Sequence, residues 1–257
     1  MYRLIDTHSH LFVDDFNADR PEVMLRAREA GITHILMPNI DVDSVEPMLR
    51  VCGEYPGYCF PMIGLHPTEV DANYRDALTA LKPLLDEHPF IAIGEVGLDL
   101  YWDKTYKKEQ LAVLDEQIGW ALERDLPLVI HSREAFPELY ALFSHYKDSP
   151  IRGVFHSFTG TADEAHVLLE FPGFMLGING VVTFKKSTLP DALSEVPLSR
   201  IVVETDSPYL APAPYRGKRN ESSYVVRVVE KLSEIYALSL DAIADATYRN
   251  ACAVFGL

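Results

Sequence analysis

The chain has 257 residues, 48% of them hydrophobic and 24% charged, which excludes wholesale disorder and suffices for one large α/β barrel or two small domains. Its formal net charge of −15 excludes a generic basic coat for nucleic acid, so any polyanionic substrate must meet a local positive site or bound cations. Three cysteines, Cys52, Cys59 and Cys252, offer no C-x-x-C spacing and no disulfide framework, and they read as small buried hydrophobes.

Residues 4–10 form the first of eight short apolar runs rich in β-branched side chains. Pro21 then opens a helix that Gly31 closes. Runs at 34–40, 59–66 and 90–98 follow. Leu111, Leu114, Ile118, Ala121 and Leu122 next make one apolar helical stripe. The last four runs span 126–131, 151–158, 174–182 and 201–205, and a second stripe comprises Val225, Val228, Val229, Leu232, Ile235 and Tyr236. Successive runs start about 28 residues apart, near the ~30 of one strand–helix–strand unit. Nearly continuous apolar strands suit a parallel sheet covered on both faces. With no linker or low-complexity tract, the pattern predicts one (β/α)8 TIM-type barrel over residues 1–257, a doubly wound open sheet being the competitor. The opening MYRLIDTHSH carries no apolar leader and no run nears the ~18 residues of a membrane span, so a cytoplasmic protein is expected.

Chemistry gathers at the predicted strand ends. Strand 1 finishes Asp6-Thr7-His8-Ser9-His10, strands 3, 5 and 6 end in or near His66, His131 and His156, strand 4 carries Glu95, and strand 8 ends Glu204-Thr205-Asp206. The C-terminal rim is where a barrel builds its active site. Strict alternation points Asp6, His8 and His10 one way, and likewise Glu204 and Asp206. Imidazoles and carboxylates are ligands for divalent ions such as zinc or manganese, and this many donors exceeds what one tetrahedral ion needs. Two ions sharing a bridging carboxylate match the count, with Glu95 well placed to bridge.

The motifs IDTHSHL at 5–11, GLHP at 64–67, GEVGLD at 94–99, PLVIHSRE at 127–134, FHSFTG at 155–160, ETDSPYLAP at 204–212 and YRGKRNES at 215–222 resemble the TatD family of metal-dependent hydrolases. That family sits within the amidohydrolase-like barrel superfamily, and the resemblance runs the length of the chain. It implies that His8, His10 and Asp206 bind one divalent ion, that Glu95 bridges, and that His131 and His156 bind a second. His66 and Glu204 match further active-site positions. The resemblance also implies 3′–5′ deoxyribonuclease activity, although related barrels hydrolyse quite different bonds.

On this basis a metal-activated water attacks a phosphodiester, with Asp206 as general base and Glu204 either orienting a neighbour or accepting a proton. The ions are zinc, manganese or magnesium. Substrate contacts are expected from His66 and from the rim cations Arg133, Arg216, Lys218 and Arg219, with Lys185 and Lys186 nearby. Tyr101, Trp102 and Tyr106 either stack on bases or pack over the barrel mouth. So few cations suit a single-stranded DNA end or short oligonucleotide better than a long duplex, and no obligate protein partner is implied. The alternatives are hydrolysis of a small ester, amide or aminoacyl ester on the same centre, and a catalytically idle metal-binding protein.

Overall fold

The computed structural model describes residues 3–257, in which eight parallel strands pair in sequence order: β1 (Leu4–Asp6), β2 (Ile32–Pro38), β3 (Cys59–Ile63), β4 (Ala92–Asp99), β5 (Leu128–Arg133), β6 (Gly153–Phe155), β7 (Phe174–Ile178) and β8 (Ile201–Val203). Between them run α1 (Arg20–Glu29), α2 (Val45–Glu54), α3 (Tyr74–Leu81), α4 (Leu84–Glu87), α5 (Lys107–Arg124), α6 (Phe136–Phe143), α7 (Ala162–Leu168) and α8 (Leu189–Leu193); α9 (Val225–Tyr236) and α10 (Leu240–Phe255) follow β8. The sheet curls into a nearly closed barrel. At the seam a bridge joins Ser9 to Ser207, and backbone bonds run from Thr7 N to the Val203 carbonyl (3.2 Å) and from His10 N to the Ser207 carbonyl (2.7 Å). No helix among the described residues is long and apolar enough to cross a membrane.

The strands divide their side chains between two cores. Ile5, Leu36, Met62, Ala92, Val129, Val154 and Val202 form an inner layer, against which Ala251, Val254 and Phe255 of α10 pack. Their neighbours Leu4, Ile35, Met37, Ile63, Ile93, Leu128, Ile130, Phe155, Ile201 and Val203 face outward into the larger core shared with the helices. This two-sided burial explains the apolar runs. Pro21 lies in the first turn of α1, and Gly31, at φ 89°, ends the turn behind it as the sequence predicts.

Three differences from the sequence reading matter for function. First, β1, β3, β6, β7 and β8 stop short of the predicted ends, so His8, His10, His66, His156 and Asp206 lie just beyond the ladder. Second, Asp6 does not join His8 and His10. With Ile5 facing inward, Asp6 turns to the helix side, where its carboxylate accepts bonds from Thr205 N (2.9 Å), Thr205 Oγ1 (2.7 Å) and Ser222 Oγ (2.6 Å). The regular strand ends at Asp6, and alternation ends with it. Third, the buried face of α5 includes Gln110 and Gln117, whereas Leu122 of the predicted stripe is exposed. Gln117 accepts a bond from Leu65 N (2.7 Å) and Gln110 one from Asp99 N (3.0 Å), tying the ends of β3 and β4 to the helix.

Candidate metal centre

Alternation beyond the inner layer places half of the polar residues. His131 is two residues past Val129, His156 two past Val154, Glu204 two past Val202 and His66 four past Met62, so each continues an inward-facing row. Glu95 is three past Ala92, and perfect alternation would send it to the helices. The register with β5 shifts between Ile93 and Val96, which reverses the parity and turns Glu95 into the barrel while Val96 and Leu98 stay outward. Gly97 permits this, since its φ is +147° and a Cβ there would fall 2.0 Å from the His131 carbonyl oxygen.

The two oxygens of Glu95 serve different neighbours. Oε2 lies 3.0 Å from His8 Nε2 and 3.8 Å from His10 Nε2, while Oε1 lies 2.8 Å from His131 Nδ1, 3.5 Å from His66 Nε2 and 3.7 Å from His156 Nε2. Asp206 Oδ1 faces His10, His8 and His156 at 3.6, 3.8 and 3.8 Å. Its own backbone is held left-handed, at φ 60°, with its N–H donating to the His8 carbonyl (2.9 Å). Glu204 lies behind His156, with Oε1 3.0 Å from Nδ1 and accepting a bond from Ser157 N (2.6 Å). Gly177 leaves it room, because a Cβ there would sit 2.4 Å from Glu204 Oε2.

Burial opposes a charge on His8, Glu95, His131, His156 and Asp206, and at all but His8 the contacts outweigh it. It would lower the His131 imidazole, but bonds to Asp99 and Glu95 outweigh it and raise His131 to about 9. Burial is likewise outweighed at His156, which the charges of Glu204 and Glu95 raise to about 10. Burial and the adjacent His156 lower His8. Burial would raise Glu95 and Asp206, yet the surrounding imidazoles hold both carboxyls below their ordinary range.

The donors fit divalent ions. His8 Nε2 and His10 Nε2 approach to 3.2 Å beside Glu95 Oε2, while the buried Nδ1 atoms of both rings have no hydrogen-bond partner. Two ring nitrogens and a carboxylate oxygen directed at one point are a cation's ligand set. Three groups meet that requirement among the described residues: His8 with His10 and Glu95, His8 with His156 and Glu204, and His66 with Glu95 and His131.

A model of the family described as TatD related DNase matches residues 5–256. The chain belongs to that family. It is 35% identical to the metal-dependent hydrolase YabD of Bacillus subtilis over 98% of each chain. Over 90% of this chain and 89% of the other, it is 31% identical to a protein of Dickeya dadantii named 3′-5′ ssDNA/RNA exonuclease TatD. The crystal structure of YjjV, a TatD homologue from Escherichia coli, superposes with a TM-score of 0.92 at 29% identity, covering 99% and 98% of the two chains. This TatD-family protein is therefore a metal-dependent hydrolase.

Above the centre opens a cavity of about 690 Å³, lined among others by His10, His66, Glu95, His131, His156 and Asp206. Of the predicted basic residues only Arg133 lines it. Arg216 stacks on Phe184 (3.6 Å), and Lys218, Lys185 and Lys186 are exposed outside the lining. Arg219 pairs with both oxygens of Asp19 (2.8 and 2.6 Å) and covers Phe16, which leaves its guanidinium committed to the fold. Tyr106 packs on the helix-side core, whereas Trp102 lines the cavity. Asp99 was not singled out from the sequence, and it ranks with the predicted residues here: Oδ2 is 3.0 Å from His131 Nε2. The signal for it was a carboxylate closing an otherwise apolar strand, four residues after Glu95 on the same face.

Proposed function

We propose that this TatD-family hydrolase is a phosphodiesterase with two divalent ions, removing nucleotides from the 3′ end of single-stranded DNA or short oligonucleotides. The observation that carries this is the division of Glu95, whose Oε2 serves the His8–His10 pair and whose Oε1 serves His66, His131 and His156. His8, His10 and Asp206 would hold one ion and His131 and His156 the other, with Glu95 between them. The ions, zinc, manganese or magnesium, would supply an acidified water and charge neutralisation at the phosphoryl group.

The chain's own residues do the rest. Asp206, ionised and directed into the cluster, takes the proton of the water as its oxygen bonds to phosphorus and the bond to the leaving oxygen breaks. General bases of this kind contribute about 10²- to 10⁴-fold. Glu204 and Asp99 orient His156 and His131 from behind, which favours Glu204 as a positioning residue over a proton acceptor. Arg133 offers its guanidinium to a phosphate, and His66, on the cavity wall, contacts the substrate. On this reading the chain acts as one cytoplasmic barrel over residues 1–257, apart from membranes and without an obligate protein partner.

The test is digestion of single-stranded DNA labelled separately at each end, by protein stripped of metal and resupplied with Mg²⁺, Mn²⁺ or Zn²⁺. A ladder shortening from the 3′ end, absent in Asp206→Asn, is the expected result. One observation favours a small ester or amide instead: among the described residues Arg133 is the only Lys or Arg in the cavity lining. Intact DNA with a folded protein holding two ions would move the substrate to that class.

A further inference from the structure

The turn after β4 holds two adjacent aromatic side chains in solvent. Trp102 is 71% exposed and Tyr101 47% exposed, whereas the other tryptophan, Trp120, is 1% exposed. Trp102 belongs to the wall of the cavity that holds Glu95 and Asp206. The turn is also fixed in place. Asp99 Oδ1 accepts bonds from Tyr101 N (3.0 Å) and Trp102 N (3.4 Å), while the other oxygen of the same carboxylate faces His131 Nε2. Asp99 pairs in register with Arg133 on β5, and Leu100 N bonds to the Arg133 carbonyl (2.9 Å). That register sets the Arg133 guanidinium 3.9 Å from the Tyr101 ring and 5.2 Å from the Trp102 ring, the two rings meeting edge to face at 4.8 Å.

We infer that Trp102, backed by Arg133 and Tyr101, is a stacking platform for an unpaired base of a single-stranded nucleic acid whose phosphates enter the cavity; this rests on the phosphodiester reading above. A base has a π-face for the indole and an adjacent phosphate for the guanidinium. A duplex end keeps its bases stacked on each other, so the platform selects single strands. Stacking alone distinguishes little among the four bases, and sequence tolerance follows. Because Asp99 anchors both the turn and His131, a base on the platform holds the backbone at a fixed distance from the metal centre.

Tryptophan emission reads this directly, since Trp120 is buried. Zinc-loaded protein is titrated with an oligothymidylate of about six nucleotides made hydrolysis-resistant by phosphorothioate linkages, and with an equally long abasic chain of the same charge; anisotropy of end-labelled chains gives the affinities. The base-bearing chain is expected to quench Trp102 emission and the abasic chain to leave it. Trp102→Ala should bind the oligothymidylate about tenfold more weakly with unchanged affinity for the abasic chain, and Trp102→Phe should recover most of the loss. Unchanged affinity in Trp102→Ala, or equal quenching by both chains, overturns the platform while leaving the nuclease reading intact. Absence of binding by either chain to metal-loaded wild-type protein overturns both.

Discussion

The two sides of Glu95 are built by different means. Around Oε1, His66, His131 and His156 stand on or directly past regular strands, and each continues an inward row begun in the inner core by Met62, Val129 or Val154. Around Oε2, His8 and His10 follow the end of β1, Asp206 sits at φ 60°, and Glu95 itself is turned inward by a register shift. The regular side is braced by carboxylates, Asp99 behind His131 and Glu204 behind His156. On the other side the Nδ1 atoms of His8 and His10 have no such brace. Ladder geometry thus orients the first set, and backbone irregularity at the barrel seam orients the second.

Substitutions can break this contrast. On the proposed two-ion reading, Glu95→Ala, which removes the group common to both sides, should have the largest effect, about a thousandfold or more in hydrolysis rate with loss of both ions, read by single-turnover kinetics and metal analysis. Next, His10→Ala and His131→Ala should each lower metal content from two ions to about one, on opposite sides, with the fold retained by circular dichroism.

Proton release separates the sides more finely. Without metal, His131 and His156 are raised to about 9 and about 10 and carry protons at neutral pH, whereas burial and the adjacent His156 lower His8. A metal ion needs neutral imidazole, so binding at His131 and His156 must expel protons and should tighten as pH rises toward these values, whereas the lowered His8 has less proton to lose. Calorimetry in buffers of different ionisation enthalpy checks this, and equal proton release in His8→Ala and His131→Ala would refute it. Asp99→Asn should weaken metal binding on the Oε1 side about 10- to 100-fold, as loss of an orienting carboxylate does. Arg219→Ala should have the smallest effect: about 1 kcal/mol or less in urea unfolding, with hydrolysis unchanged, because its pair with Asp19 is partly solvated.

The same contrast marks what could be read from the sequence. The barrel and its strand count are written in eight apolar runs, because strands buried on both faces have no polar row to interrupt them. His131, His156 and Glu204 are legible by counting two from an apolar residue. Glu95 is legible as a carboxylate inside an apolar run, but its direction depends on a register shift that no local pattern announces. Asp6 misled for the opposite reason, since alternation was extended past the end of the strand. Gln110 and Gln117 join the buried face of α5 because they satisfy backbone groups of Asp99 in β4 and of Leu65 just past β3, partners visible only in three dimensions. Arg219 meets Asp19 from the far end of the chain, so its guanidinium looked free.

The seam also bears on how the protein comes into being. Of the residues around Glu95, His8 and His10 emerge from the ribosome first and Asp206 last. The Asp6–Thr205–Ser222 bonds that bring those segments together span 199 and 216 residues of chain. Joining segments so distant is entropically costly and slow. His8 and His10 therefore cannot meet Asp206 until the chain that separates them has been made and the barrel has closed on itself.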